Sequence, residues 1–158
     1  MQQYKIILVG DAGVGKTTFI ARHTTGRFDI NYIPTIGVAV RDVLFMTNHG
    51  EIQFNVWDLA GQEKFGGSYD GYYQDADGAI AMFDGRTSMR GIGRLVDDIK
   101  NIAGDVPISV CGNKCDLRYN QAMVHDFDRI GVKNDVNIDA PFLDLARQLT
   151  GHADLVFQ

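Results

Sequence analysis

The chain lacks the features that mark several large classes of protein. Its 158 residues include two cysteines, Cys111 and Cys115, which argues against a disulfide scaffold. Neither has a His or Cys partner at zinc-site spacing, so a zinc site built on these cysteines is not expected. No apolar run approaches the roughly 20 residues that cross a bilayer. Neither a Gly after Met1 nor a Cys near Gln158 offers a lipidation signal, so we expect no membrane anchor. A formal net charge of −5 argues against a general nucleic-acid-binding protein, because such proteins neutralise phosphates with Lys and Arg.

The remaining composition is that of an ordinary globular domain. Hydrophobic residues make up 45% of the chain and charged residues 22%. A chain of this length buries about two thirds of the surface that its unfolded form exposes. We therefore predict a single domain over residues 1–158. We expect it to be a monomer, and the scarcity of cysteines indicates the cytoplasm or the nucleus.

The hydrophobic pattern predicts an α/β fold. Buried strands are predicted at 4–9, 78–83 and 107–111, and strands at 38–47 and 51–57 should form an antiparallel hairpin through Asn48-His49-Gly50. Helices are predicted at 16–25, 88–102 and 140–149, with Gly26 and Gly151 placed to end the first and last. With a final strand before Gly131, this gives a mixed, mostly parallel six-stranded sheet flanked by helices.

The stretch Gly10-Asp11-Ala12-Gly13-Val14-Gly15-Lys16-Thr17 fits the phosphate-loop pattern, between a predicted strand and a predicted helix. Its glycines let backbone N–H groups point at phosphates, and the helix adds its positive dipole end. Lys16 would contact the β- and γ-phosphates, and the Thr17 hydroxyl is a ligand suited to Mg²⁺. The competing interpretation is a chance Gly-rich turn. The predicted nucleotide contacts here are Asp11, Ala12, Gly13, Val14, Gly15, Lys16, Thr17 and Thr18.

A second motif, Trp57-Asp58-Leu59-Ala60-Gly61-Gln62, follows the second hairpin strand. Asp58 is predicted to hold Mg²⁺, usually through a water. Gly61 can bring its N–H against the γ-phosphate, and Gln62 can orient the attacking water. The alternative is a strand-end turn with polar surface residues, which the phosphate loop upstream makes less favourable.

The base-binding motif is Asn113-Lys114-Cys115-Asp116, after the strand at 107–111. A carboxylate accepts hydrogen bonds from the N1–H and 2-amino groups of guanine, whereas adenine has an acceptor at N1 and no 2-amino group. The motif therefore predicts a guanine nucleotide. Cys111 and Cys115 are interpreted as packing residues.

These motifs, in this order, resemble the Ras superfamily of small GTPases over nearly the whole chain. Segments 22–28, 54–58, 62–67 and 70–73 look like the Ran family, and 32–37 looks as much like a Rab. The resemblance implies a P-loop G domain that binds GTP or GDP with Mg²⁺. It also implies a Ran-type exchange factor, a GTPase-activating protein and transport receptors as partners.

The resemblance also assigns residues that the motifs do not. It implies that Thr35 ligates Mg²⁺ when GTP is bound, that Phe28 lies edge-on to guanine and that Tyr32 approaches the phosphates. Val132 would offer its N–H to guanine O6 in a loop with Lys133. Hydrolysis would depend on Lys16, Thr35, Gly61 and Gln62.

The chain departs from the Ran pattern in several places. The stretch between Asp116 and Gly131 is shorter, so we expect the fourth helix of the family to be shortened or lost, and Ile30-Asn31 stand where Ran has lysines. Two hypotheses therefore remain. Gln62 favours a GTP-hydrolysing switch, whereas Ala12 and Leu59 leave room for a GTP-locked module that engages the partners of a cellular Ran. A third hypothesis, an ATP-using kinase, conflicts with Asp116, and the sequence offers no segment for the substrate-binding lid of such an enzyme.

Overall fold

The computed structural model of the protein describes residues 2–10, 14–23, 30–33, 38–58, 75–85, 89–113, 128–130 and 137–158. Within these ranges it contains seven strands and three helices. In chain order they are β1 (Gln2–Val9), α1 (Lys16–Ala21), β2 (Ile30–Ile33), β3 (Val38–Thr47), β4 (Gly50–Asp58), β5 (Gly78–Asp84), α2 (Met89–Ala103), β6 (Ile108–Asn113), β7 (Asp128–Ile130) and α3 (Ala140–Thr150).

The strands form one mixed sheet in the order β2-β3-β4-β1-β5-β6-β7. Strand β1 is central and pairs in parallel with β4 and β5, and β6 and β7 continue the parallel part. Strands β2, β3 and β4 pair antiparallel. The predicted α/β fold with a mostly parallel sheet and a β3–β4 hairpin is confirmed.

The central position of β1 follows from the apolar run Ile6-Ile7-Leu8-Val9 in its buried second half, which both faces of a parallel sheet require. Ile6 and Leu8 lie in the core on one face, which α1 and α3 cover with Phe19 and Phe142. Ile7 packs in the core on the other face, which α2 covers.

The predictions of the last two helices are confirmed. Helix α2 spans Met89–Ala103 and includes Gly91 and Gly93. In α3, the side chains of Phe142, Leu145 and Ala146 are buried, and Gly151 ends the helix. No helix among the described residues is both long and apolar enough to cross a membrane.

The predicted number of six strands was wrong, because the sequence predicts no strand between the helix at 16–25 and the strand at 38–47, whereas residues 30–33 are extended. They form β2, which pairs with Val38 to Arg41 of β3. Strand β2 lies at the edge of the sheet and pairs with β3. Its four residues are too few to show an alternation of apolar and polar side chains in the sequence. The predicted loss of the family's fourth helix concerns residues 114–127, which lie outside the described residues.

The predicted end of the first helix near Thr25 was also wrong, since α1 ends at Ala21. His23 explains the early end. Its backbone N–H bonds to Ile20 O at 3.0 Å, a tight turn of three residues, while its ring Nδ1 donates to Phe19 O at 2.8 Å. The side chain thus takes the carbonyl that a continuing α-helix would offer to the His23 N–H.

Candidate functional site

The described residues of the predicted nucleotide-binding motifs converge on the carboxyl edge of the sheet. The parallel strands β1, β4, β5, β6 and β7 all end there, and their last residues are Val9, Asp58, Asp84, Asn113 and Ile130. In register, Leu8 of β1 lies beside Asp58, and Asp84 lies beside Asn113. Ligands of open α/β sheets bind at this edge.

Lys16 begins α1, directly after the loop that leaves β1. Its ammonium group donates a hydrogen bond to Gly10 O at 2.7 Å, and only 7% of the residue is exposed. The side chain therefore reaches back across the loop to the end of β1. This arrangement holds a buried positive charge in the loop predicted to bind phosphates.

Asp58 is the last residue of β4 and is 2% exposed. Its Oδ1 is buried without a hydrogen-bond partner among the described residues. Burial raises the pKa of this carboxyl group, whereas the positive charges of Lys16 and Arg41 act to lower it. A buried, unsatisfied carboxylate oxygen costs free energy unless a cation or a donor compensates it.

The buried carboxylate of Asp58 fits the Mg²⁺ ion that the phosphate-loop motif implies. Mg²⁺ prefers oxygen ligands and keeps several of its waters, so a carboxylate such as Asp58 can hold it directly or through one water. Thr17 is the second residue of α1, the helix that begins at the carboxyl edge of the sheet. Only the backbone of Thr17 is described. Asp58 and Thr17 are the described residues that would hold the ion.

Asn113 ties the base-binding motif to the phosphate loop. The residue ends β6 and is 4% exposed, and its Nδ2 donates to Val14 O at 3.0 Å across 99 positions of sequence. Gly15 permits this contact, since its φ is 102° and a Cβ on it would lie 2.6 Å from Asn113 Nδ2. Asn113 is therefore closely fitted to Val14 and Gly15.

The structure thus brings together Val14, Gly15, Lys16, Asp58 and Asn113. Thr18 is exposed on α1, and of Tyr32 only the backbone, in β2, is described. The other predicted site residues lie outside the described residues: Asp11, Ala12, Gly13, Phe28, Thr35, Gly61, Gln62, Lys114, Asp116, Val132 and Lys133. Thr35 lies in the segment 34–37, and the residues on either side of this segment, Ile33 and Val38, pair with each other. The next residue after Val38, Ala39, pairs with Asp58.

Arg41 is a site residue that the sequence analysis did not predict. It lies opposite Val56 on β3, two residues from Ala39, which is opposite Asp58. Residues that alternate along paired strands share a face, so Arg41 and Asp58 point to the same side of the sheet. Its Nε is buried without a hydrogen-bond partner among the described residues. The hairpin register through Asn48-His49-Gly50 is the sequence feature from which this proximity can be found.

Comparison with known proteins matches the chain to one family model. The model is described as Ras family, and it covers residues 5–151. The match spans the phosphate loop, Asp58, Asn113 and the three helices.

Proposed function

The chain belongs to the Ras family of GTP-binding switch proteins, and from this premise we propose that it hydrolyses GTP to GDP with Mg²⁺ at the carboxyl edge of its sheet. Members of this family are generally GTPases. The observation that supports the proposal best is the buried Oδ1 of Asp58, which has no hydrogen-bond partner among the described residues and lies in the positive field of Lys16 and Arg41. These charges suit a site where phosphates and a divalent cation bind together.

Each described residue has a distinct part in the proposed reaction. The loop and the start of α1 bind the phosphates, and Lys16 neutralises part of their charge. Asp58, with Thr17, would hold Mg²⁺, which would supply positive charge to offset the negative charge of the phosphates. Asn113 braces the phosphate loop through Val14 O and so fixes it relative to the base-binding motif.

The remaining steps fall to residues assigned by motif and resemblance. Asp116 accepts hydrogen bonds from guanine, Gly61 donates its N–H to the γ-phosphate, and Gln62 orients the attacking water. We infer that hydrolysis is slow, because Ala12 adds a methyl group where Ran and Ras have Gly. A displacement of Gln62 by about 1 Å would cost roughly 10²-fold in rate.

Single-turnover hydrolysis of preloaded GTP tests this proposal. We expect Ala12→Gly to hydrolyse GTP faster than the native protein and Gln62→Leu to hydrolyse it more slowly. Gln148→Leu, which replaces an exposed glutamine of α3, is the matched control and should leave the rate unchanged. A native rate that Gln62→Leu does not lower would favour the second candidate, a GTP-locked module that engages the partners of a cellular Ran.

We further propose a Ran-like role in transport between nucleus and cytoplasm, on the resemblance of segments such as 54–58 to the Ran family. Ile30-Asn31 stand where Ran has lysines, so this segment would offer such partners two fewer positive charges. Binding of a purified Ran-type transport receptor to the GTP-loaded and GDP-loaded chain is the test. The proposal predicts binding in the GTP state alone, and equal absence of binding in both states would contradict it.

A further inference from the structure

A second cluster of potential ligands lies far from the carboxyl edge, where the β3–β4 turn meets the residues after α3. Hydrogen bonds of the backbone and of Asn48 fix the two segments against each other. Asn48 Nδ2 donates to Asp154 O at 3.2 Å, and Val156 N donates to Asn48 Oδ1 at 2.9 Å. Leu155 is fully buried between these contacts, so the position of this segment is part of the core packing.

The side chains of His49, His152 and Asp154 meet next to these hydrogen bonds. His49 Nε2 lies 3.0 Å from Asp154 Oδ1, and the rings of His49 and His152 stack with centroids 3.9 Å apart and planes 4° from parallel. One ligand atom from each of the three residues lies within 4.8 Å of the other two. We call these residues the His49–His152–Asp154 cluster.

We propose that the His49–His152–Asp154 cluster binds a divalent transition-metal ion, with Zn²⁺ the best match to its ligands. Two imidazole nitrogens and one carboxylate oxygen form a donor set that zinc accepts, and a solvent molecule can complete a tetrahedron. Mg²⁺ is a poorer match, because it prefers oxygen ligands and octahedral geometry.

The geometry requires a modest rearrangement of side chains. Bonds of 2.0 to 2.1 Å place the ligand atoms of a tetrahedral zinc about 3.3 Å apart. His49 Nε2 and Asp154 Oδ1, at 3.0 Å, are already near that spacing, whereas the wider separations in the cluster, up to 4.8 Å, must shorten. The stacked rings must also tilt, since the lone pairs of parallel rings do not converge. Solvent exposure makes both movements feasible, because the side chains of His49 and Asp154 are 30% and 73% exposed.

Metal binding at this place would join two segments that are distant in sequence. His49 and Asp154 are 105 positions apart, and the ion would add a cross-link to the hydrogen bonds of Asn48. Because the ligands converge only in the folded chain, zinc should raise its thermal stability. The cluster and Asp58 lie at opposite ends of β4, so nucleotide and zinc sites would be separate.

Titration of Zn²⁺ into the full-length chain tests the proposal. The protein is freed of transition metals, loaded with GDP and kept in excess Mg²⁺, and binding is followed by isothermal titration calorimetry. We expect one zinc per chain, with affinity reduced at least about tenfold in His49→Ala and in His152→Ala. Asp105→Asn removes an exposed carboxylate elsewhere and is the control, with affinity unchanged.

A measurement on the native chain keeps the test independent of how the variants fold. Imidazole ¹⁵N chemical shifts of His49 and His152 should move on addition of zinc, whereas those of the buried His23 should not. The thermal unfolding midpoint should rise with zinc in the native chain but not in His49→Ala. Absence of saturable zinc binding, unchanged affinity in the His49→Ala/His152→Ala double variant, or unmoved His49 and His152 shifts would overturn the proposal.

Discussion

Replacement of Gly15 by alanine measures how closely the phosphate loop is fitted to the end of β6. Gly15 has φ of 102°, a conformation that costs an alanine about 1–2 kcal/mol. The added Cβ would lie 2.6 Å from Asn113 Nδ2, so Asn113 must move away. That movement breaks its hydrogen bond to Val14 O and leaves a buried carbonyl unsatisfied, at about 1–3 kcal/mol. We expect Gly15→Ala to lower the free energy of unfolding by about 2–5 kcal/mol.

Gly50→Ala is the matched control for this substitution. Gly50 has nearly the same φ, 104°, but a Cβ there would meet nothing within 4 Å. It should cost only the backbone contribution of about 1–2 kcal/mol. Urea unfolding of the native chain and both variants, at one fixed concentration of GDP and Mg²⁺, gives the comparison. If Gly15→Ala is no more destabilising than Gly50→Ala, the contact between Asn113 and the phosphate loop does not stabilise the fold.

Three further predictions test the site and the core. Asp58→Asn should raise the Mg²⁺ concentration needed to retain GDP, measured by nucleotide release. It should also stabilise the protein in EDTA, because the buried site favours the neutral form; an unchanged Mg²⁺ requirement would contradict this. Phe142→Ala should cost about 3–5 kcal/mol in urea unfolding, because its ring is fully buried against three other phenylalanines. Phe157→Ala should cost more than Val156→Ala, since Phe157 stacks on Phe45 at 4.0 Å whereas Val156 is 46% exposed; equal costs would refute the packing of this segment.

The fold could be predicted from sequence wherever an element has a strong pattern of its own. The apolar run of β1, the hairpin turn at Asn48-His49-Gly50 and the amphipathic face of α3 each specify their structure locally. Strand β2 and the end of α1 were missed because both depend on contacts made after folding. Strand β2 exists through its pairing with β3, and α1 ends where the His23 ring contacts Phe19 O and Asp139.

The candidate site shows the same difference between residues marked by a local sequence pattern and residues that meet only after folding. Lys16, Asp58 and Asn113 could be placed from their motifs, since each follows a predicted strand and the carboxyl ends of parallel strands share an edge. Arg41 was missed because its proximity to Asp58 depends on the hairpin register. The His49–His152–Asp154 cluster joins a turn to a segment about 100 residues later, and no local pattern of sequence marks such a meeting.

Competition between nucleotides for the phosphate loop tests the central claim most directly. The native chain is loaded with a fluorescent GDP in the presence of Mg²⁺, and GTP, ATP and a xanthine nucleotide are compared as competitors. Guanine nucleotides should bind more tightly than ATP by a factor of roughly 10⁴, because the wrong base leaves buried polar groups unpaired. Asp116→Asn should shift the preference toward the xanthine nucleotide. Equal affinity of the native chain for GTP and ATP would contradict the assignment of a guanine-nucleotide site.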